Sequence, residues 1–259
     1  MAPSSTPPSE REGRPSAKAC RAAPTPVWLL DLDNTLHDAS HASFGALHVA
    51  MGEYVASHLG VDDDEAGRLR ESYWLRYGAT LLGLVRHHGV RAAHFLEETH
   101  RLPGLEERVR TSAHDRAALA RLPGRKLIVT NAPRAYAMRV LRTLRLLRHV
   151  EGVITIEDMT MFGALRPKPD ARMLRRIAAR LGVAPARCIL VEDTLAHLKA
   201  ARSVGMRTVW MQRYLGGRFR GTRRDLGNAG APVGPTRRRC PNPPYLCAKI
   251  GALRDLARL

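Results

Sequence analysis

The chain has 259 residues, 44% of them hydrophobic, and four cysteines (Cys20, Cys188, Cys240, Cys247) with no paired spacing. That length and composition suit a buried core. The cysteine pattern argues against a disulfide or zinc framework, and no run nears the ~18 apolar residues of a membrane-spanning helix. The net charge of +18 is uneven, because nine arginines stand against Asp225 alone between Arg207 and Cys240. The first 26 residues are rich in Pro, Ser and Ala and lack the apolar centre of a secretory signal, so a disordered leader and a cytoplasmic location are expected.

The first strand is expected over Val27 to Asp33, an apolar run that drives into two aspartates, Asp31 and Asp33. Buried acids are costly without partners, so the pair belongs at the strand's carboxyl end, where open α/β sheets place ligands. From about Ser40 to Leu122 the pattern is helical throughout. Phe44, Leu47, His48, Met51, Tyr54, Val55 and Leu59 recur at threes and fours, and Gly60 then supplies a stop. Asp62 to Glu65 bring acids to the next helix's first turn, where the helix dipole favours them. That helix runs through Leu69, Tyr73, Trp74 and Tyr77 to Gly78. Further helices are expected over Leu81 to His88, Ala92 to His100 and Arg116 to Leu122. A block of helices between two strands reads as an all-helical insert, residues 38–122, within an α/β core formed by 27–37 and 123–259.

The alternating pattern resumes with a strand at Lys126 to Asn131 and a basic amphipathic helix over Arg134 to Leu147. Strands follow at Val150 to Ile156, at Cys188 to Asp193 and at Arg207 to Met211. Between them, Arg166-Pro167-Lys168-Pro169-Asp170 forms a rigid turn into a helix over Ala171 to Leu181, and Thr194 to Val204 reads as another helix. Periodicity vanishes across 212–243, a loop rich in Gly, Pro and Arg. A last strand is expected at Tyr245 to Ile250 and a last short helix at Ala252 to Leu259.

Three strand ends thus present chemistry: Asp31 and Asp33, Thr130 and Asn131, Glu192 and Asp193. Lys168 waits in a proline-braced turn. In a parallel sheet these ends converge on one edge. Carboxylates gathered there need a cation, and oxygen-only ligands suit Mg²⁺. A lysine and a hydroxyl beside it suit a phosphoryl group, whose oxygens must be neutralised and oriented.

Taken in order, Asp31-Leu32-Asp33-Asn34-Thr35, Thr130-Asn131, Lys168 and Glu192-Asp193 resemble the four motifs of the haloacid dehalogenase-like phosphohydrolases, across Val27 to Met211. The resemblance implies a Rossmann-like parallel core with a small helical cap. It implies Asp31 as nucleophile, Asp33 as general acid and base, and Thr130, Asn131 and Lys168 as phosphate-binding. It also implies Mg²⁺ held by Asp31, the Asp33 carbonyl, Asp193 and Glu192. An aspartate two residues after the first favours phosphoryl over dehalogenase chemistry.

Within the insert, the run Tyr73 to Leu84 is similar to a cap segment of the pyrimidine 5′-nucleotidase branch, and Asn34 and Thr130-Asn131-Ala132 agree with it. That resemblance implies a nucleoside 5′-monophosphate as substrate, with Asn34, Tyr77 and Thr80 as candidate contacts. Read from spacing alone, the aromatics are core residues and Gly78 and Gly83 permit a kink or close helix contact. His197 stands where such relatives often carry asparagine and reads as a helix-face residue. Two alternatives remain: a sugar-phosphate or phosphoglycolate phosphatase with the same core, and a nucleic-acid-binding protein using the arginine-rich segment. No membrane partner is expected.

Overall fold

The computed structural model describes residues 25–215 and 243–259, so most of the expected leader and of the arginine-rich loop lie outside the described residues. The core is a six-stranded parallel sheet. In chain order its strands are β1 (Val27–Leu30), β2 (Arg125–Val129), β3 (Gly152–Ile154), β6 (Cys188–Glu192), β7 (Arg207–Met211) and β8 (Ala248–Ile250). A separate hairpin pairs β4 (Thr160–Met161) with β5 (Ala164–Leu165). The sheet order is β3-β2-β1-β6-β7-β8, which puts the first strand between the second and the sixth.

Strict alternation of side chains explains why these apolar runs become central strands. Trp28, Leu30, Ile128, Ile189, Val191, Val209 and Met211 face one core layer. Val27, Leu29, Leu127, Val129, Cys188 and Leu190 face the other. The first layer is closed by α7 (Arg134–Thr143), which contributes Tyr136, Ala137, Val140 and Leu141. The second is closed by α8 (Ala171–Arg180), through Met173, Leu174, Ile177 and Ala178, and by α9 (Leu195–Ser203), through Leu198 and Ala201.

A π-helical turn over Ser40–Phe44 and six α-helices lie between β1 and β2: α1 (Gly45–Leu59), α2 (Asp63–Tyr77), α3 (Thr80–His88), α4 (Ala92–Thr99), α5 (Leu105–Arg108) and α6 (Ala113–Arg121). They are punctuated where the sequence places its signals. Gly60 and Gly78 end α1 and α2 in left-handed conformations, and the Asp62 carboxylate caps α2 by accepting from the Glu65 amide. Tyr54, Val55, Tyr73, Leu81, Leu84, Phe95 and Leu96 form the insert's own core. Ile156, from the sheet side, completes it.

Several boundaries differ from the sequence reading; the last strand, for one, is Ala248–Ile250 rather than Tyr245–Ile250. The first strand stops at Leu30, before its aspartates, because Asp31 leaves the ladder after one last bond from its amide to the Val191 carbonyl, 3.0 Å. The third strand contracts to Gly152–Ile154, since Thr155 and Asp158 close a capping box instead. The chain end is a 3₁₀ helix over Leu253–Arg258. The β4–β5 hairpin was not legible, because two-residue strands carry no period. No helix among the described residues is long and apolar enough to cross a membrane.

Gly83 shows why the insert needs its glycines. A Cβ there would overlap the base of the Tyr73 ring where α3 crosses α2. Alanine would gain about 1 kcal/mol of helix propensity, but overlap with a buried ring base that cannot swing aside costs about 1–3 kcal/mol. Gly83→Ala is therefore expected to lower the denaturant midpoint, and a raised midpoint would contradict this packing.

Candidate active site

The parallel register brings three strand ends together. Leu30 pairs with Ile128 on one side and with Val191 on the other, so Asp31 emerges level with Glu192, and Thr130 follows one residue beyond on the neighbouring strand. Lys168 arrives from the turn before α8. Its ammonium donates to Asp31 Oδ1 and to Glu192 Oε2, each at 2.7 Å, and the residue is only 1% exposed. Asn131 holds the turn in place. Its Nδ2 donates to the Lys168 carbonyl at 2.8 Å and its Oδ1 accepts from the Lys168 amide at 2.9 Å. The Asn131 amide, expected on phosphate, thus grips the lysine's backbone. Thr130 is buried, and its Oγ1 accepts from the Ala132 amide at 3.0 Å.

Carboxylate oxygens of Asp31, Glu192 and Asp193 lie within 4.8 Å of one another. Burial and mutual repulsion shift the carboxyls of that assembly. Burial, then the Glu192 charge, pushes Asp31 up to about 8 against the pull of Lys168. Burial, then Glu192 and Asp31, pushes Asp193 up to about 9. Burial would also raise Glu192, but Lys168 and then His197 hold it well below the usual carboxylate range. Lys168 is raised, because Asp31 and Glu192 outweigh the burial that opposes its charge. An all-oxygen set of three acids around one ammonium is short of positive charge and fits a hard divalent cation.

Asp33 stands apart from this cluster. Its Oδ1 accepts from the Tyr136 hydroxyl at 2.7 Å and lies 2.9 Å from His37 Nε2. Asn34 follows in a left-handed conformation, φ 54°, which asparagine tolerates. Its amide is engaged by Ser40, whose backbone amide donates to Asn34 Oδ1 at 3.0 Å. Of the two insert candidates, Thr80 is buried and donates to the Arg70 carbonyl at 3.1 Å, which ties α3 to α2. Tyr77 is half-buried with its hydroxyl 2.6 Å from His87 Nε2, and Arg76 and Arg86 lie against its ring. The turn after it reaches the core. Pro169 Cδ lies 3.5 Å from where a Gly78 Cβ would stand.

Two residues here, His37 and Tyr136, escaped the sequence reading, and a third, His197, was read there only as a helix-face residue. His197 Nδ1 lies 3.1 Å from Glu192 Oε2 and so contacts the acidic cluster. His37 and Tyr136 meet at Asp33. A histidine four residues after an aspartate was a usable signal for the first of these. Tyr136 sits 103 residues from Asp33 and gave none.

Comparison with known proteins agrees with this geometry. The family profile described as haloacid dehalogenase-like hydrolase matches residues 27–205. Phosphate metabolism protein 8 of Saccharomyces cerevisiae is 25% identical over 193 residues, 70% of this chain and 59% of that protein. Validoxylamine A 7′-phosphate phosphatase of Streptomyces hygroscopicus subsp. limoneus is 34% identical over 79 residues, 30% of this chain and 35% of that one. The chain thus spans less than two thirds of the length of either relative. The HAD phosphatase from Thermococcus onnurineus shares the fold, with a TM-score of 0.55 at 21% identity over 90% of this chain and 96% of that one.

The raised carboxyls carry a signed pH dependence. Unfolded, Asp31 and Asp193 titrate near 3.8; folded, they hold their protons to about 8 and about 9. The folded state therefore binds more protons between these limits, and stability falls as pH rises through them. Glu192 is depressed from 4.5, so its change is confined to the acid end, and Lys168 is raised and changes only above the window. A bound divalent cation favours the ionised carboxyls and displaces their protons. The rise in thermal midpoint on adding Mg²⁺ is expected to be larger at about pH 8.5 than at about pH 5.5. That increment, rather than the raw midpoint, cancels groups such as His100, which burial holds down to about 4. An increment independent of pH would contradict the assignment.

Proposed function

The chain belongs to the haloacid dehalogenase-like hydrolase family, and on that premise we propose that it is a Mg²⁺-dependent phosphomonoesterase acting through an aspartyl-phosphate, with a nucleoside 5′-monophosphate as substrate. The carrying observation is the Asp31–Lys168–Glu192 arrangement, with Asp33 held separately two residues further on. A single buried ammonium leaves Asp31 oriented and partly neutralised, as a carboxylate must be to approach an anionic phosphoryl group.

In this reading the Asp31 carboxylate attacks phosphorus. The bond to the ester oxygen breaks, and that oxygen leaves with a proton from Asp33. Water then attacks the phosphorus of the aspartyl-phosphate, Asp33 takes back a proton, and inorganic phosphate departs with Asp31 restored. Lys168 balances charge on Asp31 and the phosphoryl oxygens throughout, and the Thr130 hydroxyl donates to one of those oxygens. Asp31, Glu192 and Asp193, with the Asp33 carbonyl, would hold the Mg²⁺. The ion supplies neutralisation of developing negative charge.

The nucleotide preference rests on the insert. The Tyr77–Thr80 turn lies beside Pro169, next to the catalytic lysine, and Tyr77 offers a half-buried ring flanked by Arg76 and Arg86. In this account the cap is the part of 38–122 built from α1–α4, closing over the site to exclude water and select substrate; Leu105 of α5 and Leu119 of α6 pack into the first core layer of the sheet instead. The 34% identical stretch shared with a phosphatase of a validoxylamine phosphate favours a second reading, a sugar-like phosphomonoester. The arginine-rich loop proposed for nucleic acid falls largely outside the described residues.

Phosphate release from UMP, CMP, AMP and a set of sugar phosphates, with Mg²⁺ and with chelator, tests the reading. Turnover on at least one ester is expected, lost in chelator. Asp31→Asn is expected to fall to background and Asp33→Asn by about 10²–10⁴-fold on natural esters. No turnover on any ester, or turnover indifferent to Asp31→Asn, would overturn it. A larger kcat/KM for sugar phosphates than for nucleotides would favour the second reading.

A further inference from the structure

Two donors converge on one oxygen of Asp33 and leave the other free. The Tyr136 hydroxyl, from α7, donates to Oδ1 at 2.7 Å, and His37 Nε2, from the loop after β1, lies 2.9 Å from the same atom. Among the described residues no donor reaches Oδ2. The side chain is 19% exposed, so Oδ2 is the oxygen open to an incoming group.

The protonation of both donors follows from their surroundings. Tyr136 is buried, and its hydroxyl also lies 2.9 Å from Ser43 Oγ. Its one proton goes to the carboxylate, an acceptor-only group when ionised, so Tyr136 does not donate to Ser43, whose own hydroxyl proton is shared between the tyrosine oxygen and the Ala39 carbonyl at 3.2 Å. His37 is fully buried, and its Nδ1 has no partner. An orphaned buried N–H costs more than an orphaned lone pair, so the proton sits on Nε2 and points at Asp33. His100 packs edge-on against the Tyr136 ring at 5.7 Å, fixing its plane.

We infer that Tyr136 and His37 are positioning residues for proton transfer: by occupying Oδ1 they fix the Asp33 carboxyl and reserve Oδ2 for the leaving-group oxygen. The inference rests on the reading of Asp33 as the general acid. Burial alone does not explain the arrangement. A purely structural anchor would not need two donors from separate elements on one oxygen. The proton on Oδ2 passes to the ester oxygen as the P–O bond breaks, and Oδ2 later takes a proton from the attacking water.

The leaving group separates this role from a structural one. The 4-nitrophenolate of 4-nitrophenyl phosphate departs without a proton, whereas the alkoxide of an alkyl phosphate or nucleoside 5′-monophosphate needs one. The experiment measures kcat/KM for 4-nitrophenyl phosphate and for the best alkyl ester of the substrate panel, in wild type, Tyr136→Phe, His37→Leu and His37→Gln. Tyr136→Phe and His37→Leu are expected to lose about tenfold or more on the alkyl ester, a share of the range for general-acid catalysis, and less than about threefold on the aryl ester. His37→Gln retains a donor at the Nε2 position and is expected to recover most of the loss. Equal losses on both esters in Tyr136→Phe would overturn the inference, and so would His37→Gln matching His37→Leu. Tyr136→Phe changes one atom and carries the test even if His37→Leu does not fold. Wild-type protein that hydrolyses neither ester overturns the functional reading and this inference with it, while a wild type active on both esters keeps the two failures distinct.

Discussion

The Lys168 ammonium, buried between Asp31 and Glu192, is the interaction on which the rest of the site depends. Removing a charge from water is expensive, and a buried pair repays that cost only with close geometry and satisfied partners. Here both contacts are 2.7 Å, and the supporting parts come from separate elements. Parallel register sets Asp31 and Glu192 side by side. Asn131, at the end of the neighbouring strand, grips the Lys168 peptide with both of its amide atoms. Taking away the lysine would leave three acids facing one another without a buried cation. Burial already pushes two of them, Asp31 and Asp193, to about 8 and about 9. The sheet edge thus gathers carboxyls that hold their protons until a cation makes ionisation favourable.

The two halves of the structure meet where that lysine enters. Pro169 follows Lys168 and touches the position of Gly78, which ends α2 in a left-handed turn. Ile156, just beyond the third strand, buries itself in the core of the helical insert. Movement of the insert is therefore mechanically close to the loop that carries the ammonium.

Much of this was legible in the sequence for identifiable reasons. Central parallel strands must be apolar on both faces, so Leu29-Leu30, Ile128-Val129 and Leu190-Val191 announced themselves, as did the polar residues that end them. Helix stops at Gly60 and Gly78 were readable because only glycine enters the left-handed region without strain. What stayed hidden depends on contacts across the chain. Thr130-Asn131 read as a phosphate pair, but only the fold shows that the Asn131 amide serves Lys168. Thr80 read as a substrate contact, but its hydroxyl is directed to the Arg70 carbonyl. Tyr136 lay unremarked in an amphipathic helix, since nothing in a 3.6-residue period distinguishes an aromatic that fills a core from one whose hydroxyl also reaches the Asp33 carboxylate.

The central claim is that Asp31 carries the phosphoryl group. Its most direct test is mass spectrometry of the peptide containing Asp31 after rapid acid quench during turnover, using Asp33→Asn to slow release of the intermediate. The account predicts a mass increase of one phosphoryl group on that peptide, located at Asp31 and absent without substrate. A phosphoryl group on another residue, or turnover with no phosphorylated Asp31 peptide at any quench time, would contradict it.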